Sequence, residues 1–372
     1  MTQARAATDG QLLTIADYEE HARQLTAPAL FEMMYGSHGD PNWSTYTSNR
    51  AGFHALKLRA RVLVDTSRRS LATTLLGIDL AFPVIVGPTG GLDAHDPGGE
   101  IPTLEAAGAM GTVMVVTGVS TRPIDEIAAA AEGPWFQQVW MLEDRRIVEW
   151  QVRRAEALGA AAIVLTVSNA GDTLHTIPLR WPSRSAEDDV PEPLSHLRDY
   201  ADGPVPSTAN FAGLISQSVT WADLEWLRSL TSLPLVVKGI QTGEDAELCV
   251  QHGVDAIVVS NHGGRFLQGS RGTVEALPEV VAAAGDHLEV CIDGGIRQGQ
   301  DILKALALGA RAVWIGRAAR WGAAVGGKEG VVGVLEILRR ELEGTMGLCG
   351  VTDVTQVPAD TVVRGDFPSR EG

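Results

Sequence analysis

Eight short apolar runs recur along the chain, and each is followed by a segment whose apolar residues are spaced as in a helix. The runs are rich in Val and Ile and mostly do not alternate, which is typical of strands covered on both faces of a parallel sheet. They are PVIVG (83–87), TVMVVT (112–117), WFQQV (135–139), AAIVLTV (161–167), PLVVK (234–238), AIVVS (256–260), EVCID (289–293) and AVWIG (312–316). Eight such units close into a (β/α)8 barrel, whereas a doubly wound sheet would more usually have five or six strands. The sequence therefore predicts an α/β protein with a TIM-barrel fold.

The length of 372 residues and a hydrophobic content of 45% suit one large barrel. We expect a flexible tail at 1–12, a helical lead-in at 13–75, the barrel at 76–350 and a C-terminal tail at 351–372. Residues 171–215, between the fourth and fifth strands, are rich in proline and charge and have no steady period. A loop of that length in a compact domain predicts an active-site loop or lid.

Charge and cysteine content narrow the class of protein. Acidic residues outnumber basic ones by 46 to 30, which argues against a nucleic-acid or anionic-membrane surface. Cys249, Cys291 and Cys349 have no metal-ligand spacing and form no disulfide framework, which favours a reducing compartment and no bound metal. The N-terminus lacks an apolar signal-peptide run, and no stretch is long enough to span a membrane. We therefore expect a cytoplasmic enzyme with a small-molecule substrate.

Polar residues and glycines cluster where the predicted strands end, which is where such barrels place catalytic groups. Two glycine-rich turns follow strands seven and eight, and Arg297 and Arg317 lie in them. Either turn alone could be an ordinary connection. Together, at the strands where these barrels bind phosphate, they predict a phosphate site of backbone N–H groups and arginine forks.

Three further side chains at strand ends indicate chemistry at the same mouth. Lys238 ends an apolar strand and needs an anionic partner, either as a Schiff-base lysine or beside a ring that becomes anionic on reduction. His262 and Arg265 are separated by two glycines, which would let the chain turn tightly so that both side chains face one substrate. A base beside a guanidinium favours chemistry on a carbon next to a carboxylate. Taken alone, however, this segment could be a solvated turn.

The stretches VVSNHGGR, DGGIRQGQDILKALALGARAVWIGRA, LPLVVKGI and FPVIVGPTG together resemble the FMN-dependent α-hydroxy-acid oxidase and dehydrogenase family, from about Tyr18 to near Gly350. The resemblance implies FMN as cofactor, a homotetramer, and oxidation of a 2-hydroxy acid. It implies that His262 is the base, Arg265 binds the substrate carboxylate, and Lys238 stabilises the reduced flavin near its N1–O2 edge. Residues that would line the flavin ring are Thr89, Gly90, Thr117, Gln137 and Thr166. Residues that would hold ribityl and phosphate are Asp293, Gly295, Arg297, Gly316 and Arg317.

The substrate half of the site departs from the family pattern. The resemblance implies Tyr35 as an N-terminal substrate residue, but another register places Met33 or Met34 there. A second tyrosine is replaced by Val139, with Trp140 next. Ser168 stands where an aspartate usually supports the base, and His175 is the nearest candidate for a missing arginine.

These departures leave three functions open. The first is oxidation of a hydroxy acid that is larger or less usual than glycolate. The second is oxidation of an α-hydroxy or α-amino carbonyl intermediate in natural-product biosynthesis, by oxidative deamination or decarboxylation. The third is a non-redox phosphate-binding barrel.

Overall fold

The computed structural model describes residues 12–35, 43–168, 195–197, 200 and 214–365, apart from the side chains of residues 29, 33–35 and 195. The lead-in is helical at first and ends in short strands. Its elements are α1 (Ile15–Leu25), α2 (Pro28–Tyr35), α3 (Ser44–Ala55), β1 (Leu56–Leu58), β2 (Thr73–Leu75) and β3 (Ile78–Leu80). The helices agree with the prediction from sequence, and β2 and β3 add an antiparallel hairpin to it.

Eight parallel strands form a closed barrel in chain order, which confirms the (β/α)8 fold. They are β4 (Val84–Val86), β5 (Met114–Val116), β6 (Trp135–Val139), β7 (Ala162–Thr166), β8 (Leu235–Ile240), β9 (Ala256–Val259), β10 (Glu289–Ile292) and β11 (Ala312–Ile315). The main helices around and beyond them are α4 (Ile101–Ala109), α5 (Ile124–Ala130), α6 (Arg145–Ala157), α7 (Trp221–Leu230), α8 (Gly243–Gln251), α9 (Thr273–Ala284), α10 (Gly299–Ala307) and α11 (Arg317–Cys349).

The strands do not alternate in polarity because both of their faces are buried. Val84 and Val86 of β4 belong to the cluster between strands and helices, whereas Ile85 belongs to the cluster inside the barrel. Leu75 and Leu80 of the β2–β3 hairpin also belong to the inner cluster. The hairpin meets the N-terminal ends of the strands, where the carboxylate of Glu289 accepts from the Leu76 backbone N–H at 2.5 Å. It therefore covers that end of the barrel and leaves the C-terminal end for a site.

The last part of the described chain packs back on the lead-in. Helix α11 departs from helical geometry at Gly326 and Gly327 and ends at a left-handed Gly350. Strand β12 (Val362–Arg364) then pairs antiparallel with β1. The segment predicted as a C-terminal tail is therefore ordered structure up to residue 365, and residues 366–372 lie outside the described part.

Other predictions from sequence fall at the edges of the described residues. The tail at 1–12 lies outside them except for Leu12, and of the loop at 171–215 only residues 195–197, 200 and 214–215 are described.

The three cysteines are free and buried. Across the described ranges, no helix combines the length and apolar character needed to cross a membrane, and no His, Cys, Asp and Glu cluster could hold a metal ion.

Candidate active site

All the strand-end residues singled out from the sequence lie at the same rim, because the C-terminal ends of parallel strands meet at one edge of the barrel. Their positions follow the strands in order. Thr89 and Gly90 follow β4, Thr117 follows β5, Gln137 lies in β6, Thr166 ends β7, Lys238 lies in β8, His262 and Arg265 follow β9, Asp293, Gly295 and Arg297 follow β10, and Gly316 and Arg317 follow β11.

The turn after β9 is left-handed over three successive residues. His262 has φ +55°, and Gly263 and Gly264 have φ +67° and +79°. A Cβ atom on Gly263 would lie 2.5 Å from Nη1 of Arg317, and one on Gly264 would lie 2.5 Å from the backbone nitrogen of Tyr46. Both glycines thus permit the tight turn that the sequence predicted, and their close contacts leave little space for a side chain. His262 itself adopts a backbone conformation that L-residues rarely take.

His262 is held from its backbone and from both sides of its ring. Its Nδ1 lies 2.9 Å from the hydroxyl oxygen of Ser168, and its backbone N–H donates to Ser260 Oγ at 3.1 Å. The Trp140 ring is stacked against the imidazole with centroids 5.8 Å apart, and Phe266 meets it edge-on at 4.7 Å. The ring is therefore fixed in orientation within a largely aromatic enclosure.

The electrostatic environment keeps this imidazole neutral. Burial lowers the pKa of His262 well below its ordinary value, and the nearby cations Lys238, Arg265 and Arg317 lower it further. Burial also lowers the pKa of Arg265. A neutral imidazole among fixed cations can accept a proton from a bound ligand at neutral pH.

Lys238 has the anionic partner that the sequence required. Its side chain is buried, its Nζ forms an ion pair with Asp293 Oδ2 at 2.7 Å, and it donates to Ser260 Oγ at 2.8 Å. The strand bulges at Gly239, where φ is +129° and a Cβ atom would lie 2.7 Å from the Ser168 backbone nitrogen. This close approach of β8 to the end of β7 brings the lysine and the Ser168–His262 pair to the same part of the rim.

The two arginines of the predicted phosphate site belong to one cationic cluster. Burial, followed by repulsion from Arg297 and Arg265, lowers the pKa of Arg317 to about 9. Arg317 donates to the Gly263 carbonyl at 3.0 Å and lies over the Tyr46 ring, 5.0 Å from its centroid. Since like charges are packed together here, an anionic ligand would stabilise the cluster.

Several buried polar atoms of the rim residues have no hydrogen-bond partner within the described part of the chain. They are Gln138 Nε2, Thr166 Oγ1, Asp293 Oδ1 and Arg297 Nη2. Gln137, which the sequence predicts along the flavin ring, follows the inward Phe136 in β6, so its side chain is directed towards the helices. Gln138, which accepts from Thr117 Oγ1, faces the barrel mouth instead. Buried polar groups are normally satisfied, so unpaired donors and acceptors at one rim indicate a bound polar ligand. The unpaired donor Nη2 belongs to Arg297, which the sequence predicts to bind phosphate.

Asn49, which the sequence does not mark as a site residue, holds the turn after β9 in place. The side-chain amides of Asn49 in α3 and Asn261 exchange two hydrogen bonds, of 3.0 and 2.8 Å, and Asn49 Oδ1 also accepts from the Thr273 backbone N–H. Asn49 is almost fully buried. The lead-in therefore fixes the start of the turn that carries His262.

The substrate half of the site is only partly described. Tyr35 is the last residue of α2, but its side chain lies outside the described part, as do the side chains of Met33 and Met34 and all of His175. Val139 is completely buried at the end of β6, and the ring that contacts His262 belongs to Trp140. Trp140 Nε1 is buried and has no partner among the described residues.

Comparison with known proteins adds three kinds of similarity. A family model described as FMN-dependent dehydrogenase matches residues 22–364. Glycolate oxidase 5 of Oryza sativa subsp. japonica is 37% identical over 97% of this chain and 100% of its own, and the L-lactate oxidase of Nostoc sp. is 39% identical over 93% and 96%. The structure of a soluble mutant of the membrane-associated (S)-mandelate dehydrogenase from Pseudomonas putida superimposes with a TM-score of 0.83 at 31% identity, covering 95% of this chain and 100% of that one.

Proposed function

The chain belongs to the FMN-dependent dehydrogenase family, and on that premise we propose that it oxidises the α-carbon of a 2-hydroxy acid to a 2-oxo acid, with His262 as base and Arg265 as carboxylate anchor. It is an FMN-dependent oxidoreductase. The observation that carries the proposal is the hydrogen bond between His262 and Ser168 at the barrel mouth, three residues before the half-buried Arg265. Burial and nearby cations lower the pKa of His262, which favours a neutral base. Neither residue needs to change its charge state before a carboxylate substrate binds.

The rim residues fit FMN. Arg297 and Arg317 would hold its phosphate, and the unpaired atoms of Gln138, Thr166 and Asp293 would supply a donor, a hydroxyl and a carboxylate for its polar ring and ribityl edges. Thr89, Gly90 and Thr117 would line the ring. Gly295 and Gly316 have no side chain and would let the phosphate approach the backbone closely. FMN, when bound, supplies the two-electron acceptor that none of the twenty side chains provides.

Each protein group then has one part in the oxidation. Arg265 binds the substrate carboxylate, and its planar fork orients the α-carbon. In the tautomer whose Nδ1–H donates to Ser168 Oγ, the opposite ring nitrogen of His262 is free to take a proton from the substrate. Lys238, fixed by Asp293 and Ser260, places a positive charge where negative charge develops on the neighbouring ring.

The walls of the site favour a substrate with an apolar side chain. Trp140 and Phe266 flank the base, whereas Val139 is buried in the cluster between strands and helices and takes no part in the wall. We propose a hydroxy acid larger than glycolate or lactate. Ser168 also favours the second candidate function, oxidation of an α-hydroxy or α-amino carbonyl intermediate, because such a substrate can bring its own polar group to the base.

A panel of hydroxy acids tests the function directly. The protein is mixed anaerobically with small, branched and aryl 2-hydroxy acids, and loss of the yellow flavin absorbance is followed. Bleaching by an apolar 2-hydroxy acid, with formation of the 2-oxo acid, is the expected result. If amino acids or hydroxy amides bleach the flavin and no 2-hydroxy acid does, the second candidate function replaces the first.

Three broader assignments are also proposals. We propose a cytoplasmic homotetramer, on the basis of the family resemblance, the formal net charge of −16 and the three free cysteines. We further propose that residues 76–350 are the FMN-binding unit. Light scattering tests the tetramer, and fractionation of the native cells tests the location against a membrane-associated form.

A further inference from the structure

Arg320 is a buried cation to which the proposed mechanism gives no part. It lies one turn after Arg317 in α11, and only 6% of the residue is exposed. Burial, followed by repulsion from Arg265, lowers its pKa to about 10, so the side chain remains charged at neutral pH. Burying a guanidinium is costly unless its donors are satisfied, which makes its partners informative.

All the side-chain hydrogen bonds found for Arg320 go to the loop after β4. Nη1 donates to the Gly90 carbonyl at 3.1 Å, Nη2 donates to the Gly91 carbonyl at 3.2 Å, and Nε donates to His95 Nε2 at 3.1 Å. Gly91 is left-handed, with φ +70°. A planar fork with several fixed donors suits two successive carbonyls and a ring nitrogen in a way that a single ammonium does not.

The third of these bonds is available because His95 is neutral. Burial, followed by the charge of Arg320, lowers the pKa of His95 to about 4. The ring can then accept at Nε2 and carry its proton on Nδ1.

A second buried contact holds the loop after β5. The carboxylate of Glu100 accepts a hydrogen bond from the Ser120 hydroxyl at 2.7 Å and another from the Thr121 backbone N–H at 3.1 Å.

We propose that Arg320 is a positioning residue for the cofactor: it clamps the carbonyls of Gly90 and Gly91 and so holds Thr89 and Gly90 against the flavin ring. This inference rests on the proposed function, which places those two residues along FMN. The same helical turn carries Arg317, which donates to Gly263 beside the base. One turn of α11 therefore ties the flavin wall and the loop of His262 to each other.

The test compares Arg320→Met with Arg339→Met, an exposed arginine on the same helix. Two quantities are measured: the FMN dissociation constant, from fluorescence of released flavin, and hydrogen exchange of residues 88–95 in the holoprotein. Arg320→Met leaves two carbonyls unpaired, so FMN should bind about tenfold more weakly and the loop should exchange faster. Arg339→Met should match the wild type in both. Equal values for the two variants would overturn the proposal.

The variant Arg320→Lys distinguishes the planar geometry of the guanidinium from its positive charge. Because lysine keeps the charge but cannot span the three acceptors, we expect it to resemble Arg320→Met. Wild-type FMN affinity and loop exchange in Arg320→Lys would mean that charge alone suffices, and the clamp would be wrong. The midpoint potential of the bound flavin should also differ between Arg320→Lys and the wild type if the ring has moved.

Two further variants keep the idea testable if Arg320→Met does not fold. His95→Leu removes one acceptor and should speed exchange of the loop, whereas His95→Gln keeps an acceptor oxygen and should restore it. Exchange that is the same in both variants as in the wild type contradicts the clamp. These readouts use FMN alone, so the failure of every hydroxy acid to bleach the flavin would sink the proposed function without deciding this inference.

Discussion

The hydroxyl oxygen of Ser168 lies 2.9 Å from Nδ1 of His262, so the base is oriented by a neutral partner. The family resemblance implies an aspartate at this position, whose charge would stabilise the imidazolium once the base has taken a proton. Here the surrounding charges are instead Lys238, Arg265 and Arg317, all of which disfavour the imidazolium. His262 therefore keeps the orientation of a base but lacks the negative charge that would stabilise its protonated form.

Replacement of His262 should stop the chemistry without removing the cofactor. We expect His262→Asn to stay folded and yellow and to reduce its flavin about 10²-fold or more slowly, the usual scale for a lost general base. Anaerobic stopped-flow with the best hydroxy acid of the panel measures this rate. His287→Asn, at an exposed histidine, is the matched control and should behave as the wild type. Reduction at the wild-type rate in His262→Asn would assign the base elsewhere.

The rate of flavin reduction should fall only at low pH. Burial and three cations hold the pKa of His262 well below its ordinary value, and the base works only when unprotonated. Activity should therefore be lost as pH falls through the folded pKa, and it should be flat across roughly pH 6.5 to 8, above the ordinary pKa of histidine. The measurement is the limiting rate of reduction over a pH series. A half-maximal rate near pH 7 would contradict the depressed pKa.

Much of this fold could be predicted from sequence because both faces of the barrel strands are buried. Val84, Ile85 and Val86 are all apolar for that reason, and the same holds for the other runs. Because the ends of parallel strands meet at one rim, the order of the strands predicts that His262 and Lys238 lie at the same mouth. The turn of Gly263 and Gly264 was also predictable, because only glycine tolerates both its conformation and its close contacts.

The supporting residues could not be predicted, because their partners are distant in sequence. Asn49 meets Asn261 across 212 positions, and no local pattern marks it. Arg320 lies in a helical segment, where an arginine usually indicates a solvated face. The end of β6 was misleading in a different way. The resemblance places Val139 at a family tyrosine, but Val139 is completely buried, and the ring beside His262 belongs to Trp140.

Trp140 should set the preference for the substrate side chain. Its ring is stacked on His262, and its buried Nε1–H has no partner in the described chain, so a substrate oxygen could accept from it. Trp140→Phe keeps an aromatic wall and removes this donor. We expect a KM for the hydroxy acid raised about 5- to 10-fold, the scale of one hydrogen bond, with little change in FMN affinity. Trp226→Phe, on the outer helix α7, serves as control, and an unchanged KM in Trp140→Phe would remove Trp140 from the substrate site.

Lys238 should contribute to the flavin potential through its charge. We expect Lys238→Met to lower the midpoint potential, because a buried cation near the ring favours its reduced form. The same change leaves Asp293 unpaired, which should cost about 3–5 kcal/mol of unfolding free energy. In Lys238→Met/Asp293→Asn the stability should largely return while the potential stays low. A potential that returns together with the stability would show that Lys238 acts on folding alone.

Ser168→Asp should make this enzyme better at simple hydroxy acids. A carboxylate at this position would form a charge-assisted hydrogen bond with Nδ1 and raise the pKa of His262, so the imidazolium formed during oxidation would be stabilised. We expect the wild type to reduce its flavin slowly with lactate or mandelate, and Ser168→Asp to do so at least about tenfold faster, with its acid limb at higher pH. Ser168→Asn has nearly the same shape without the charge and should give no such gain. If wild type already reacts with either acid at hundreds per second, near the upper end of common enzyme turnover, serine at this position is not a change of specificity. Equal gains in the Asp and Asn variants would assign the effect to side-chain size, and the electrostatic explanation of Ser168 would be wrong.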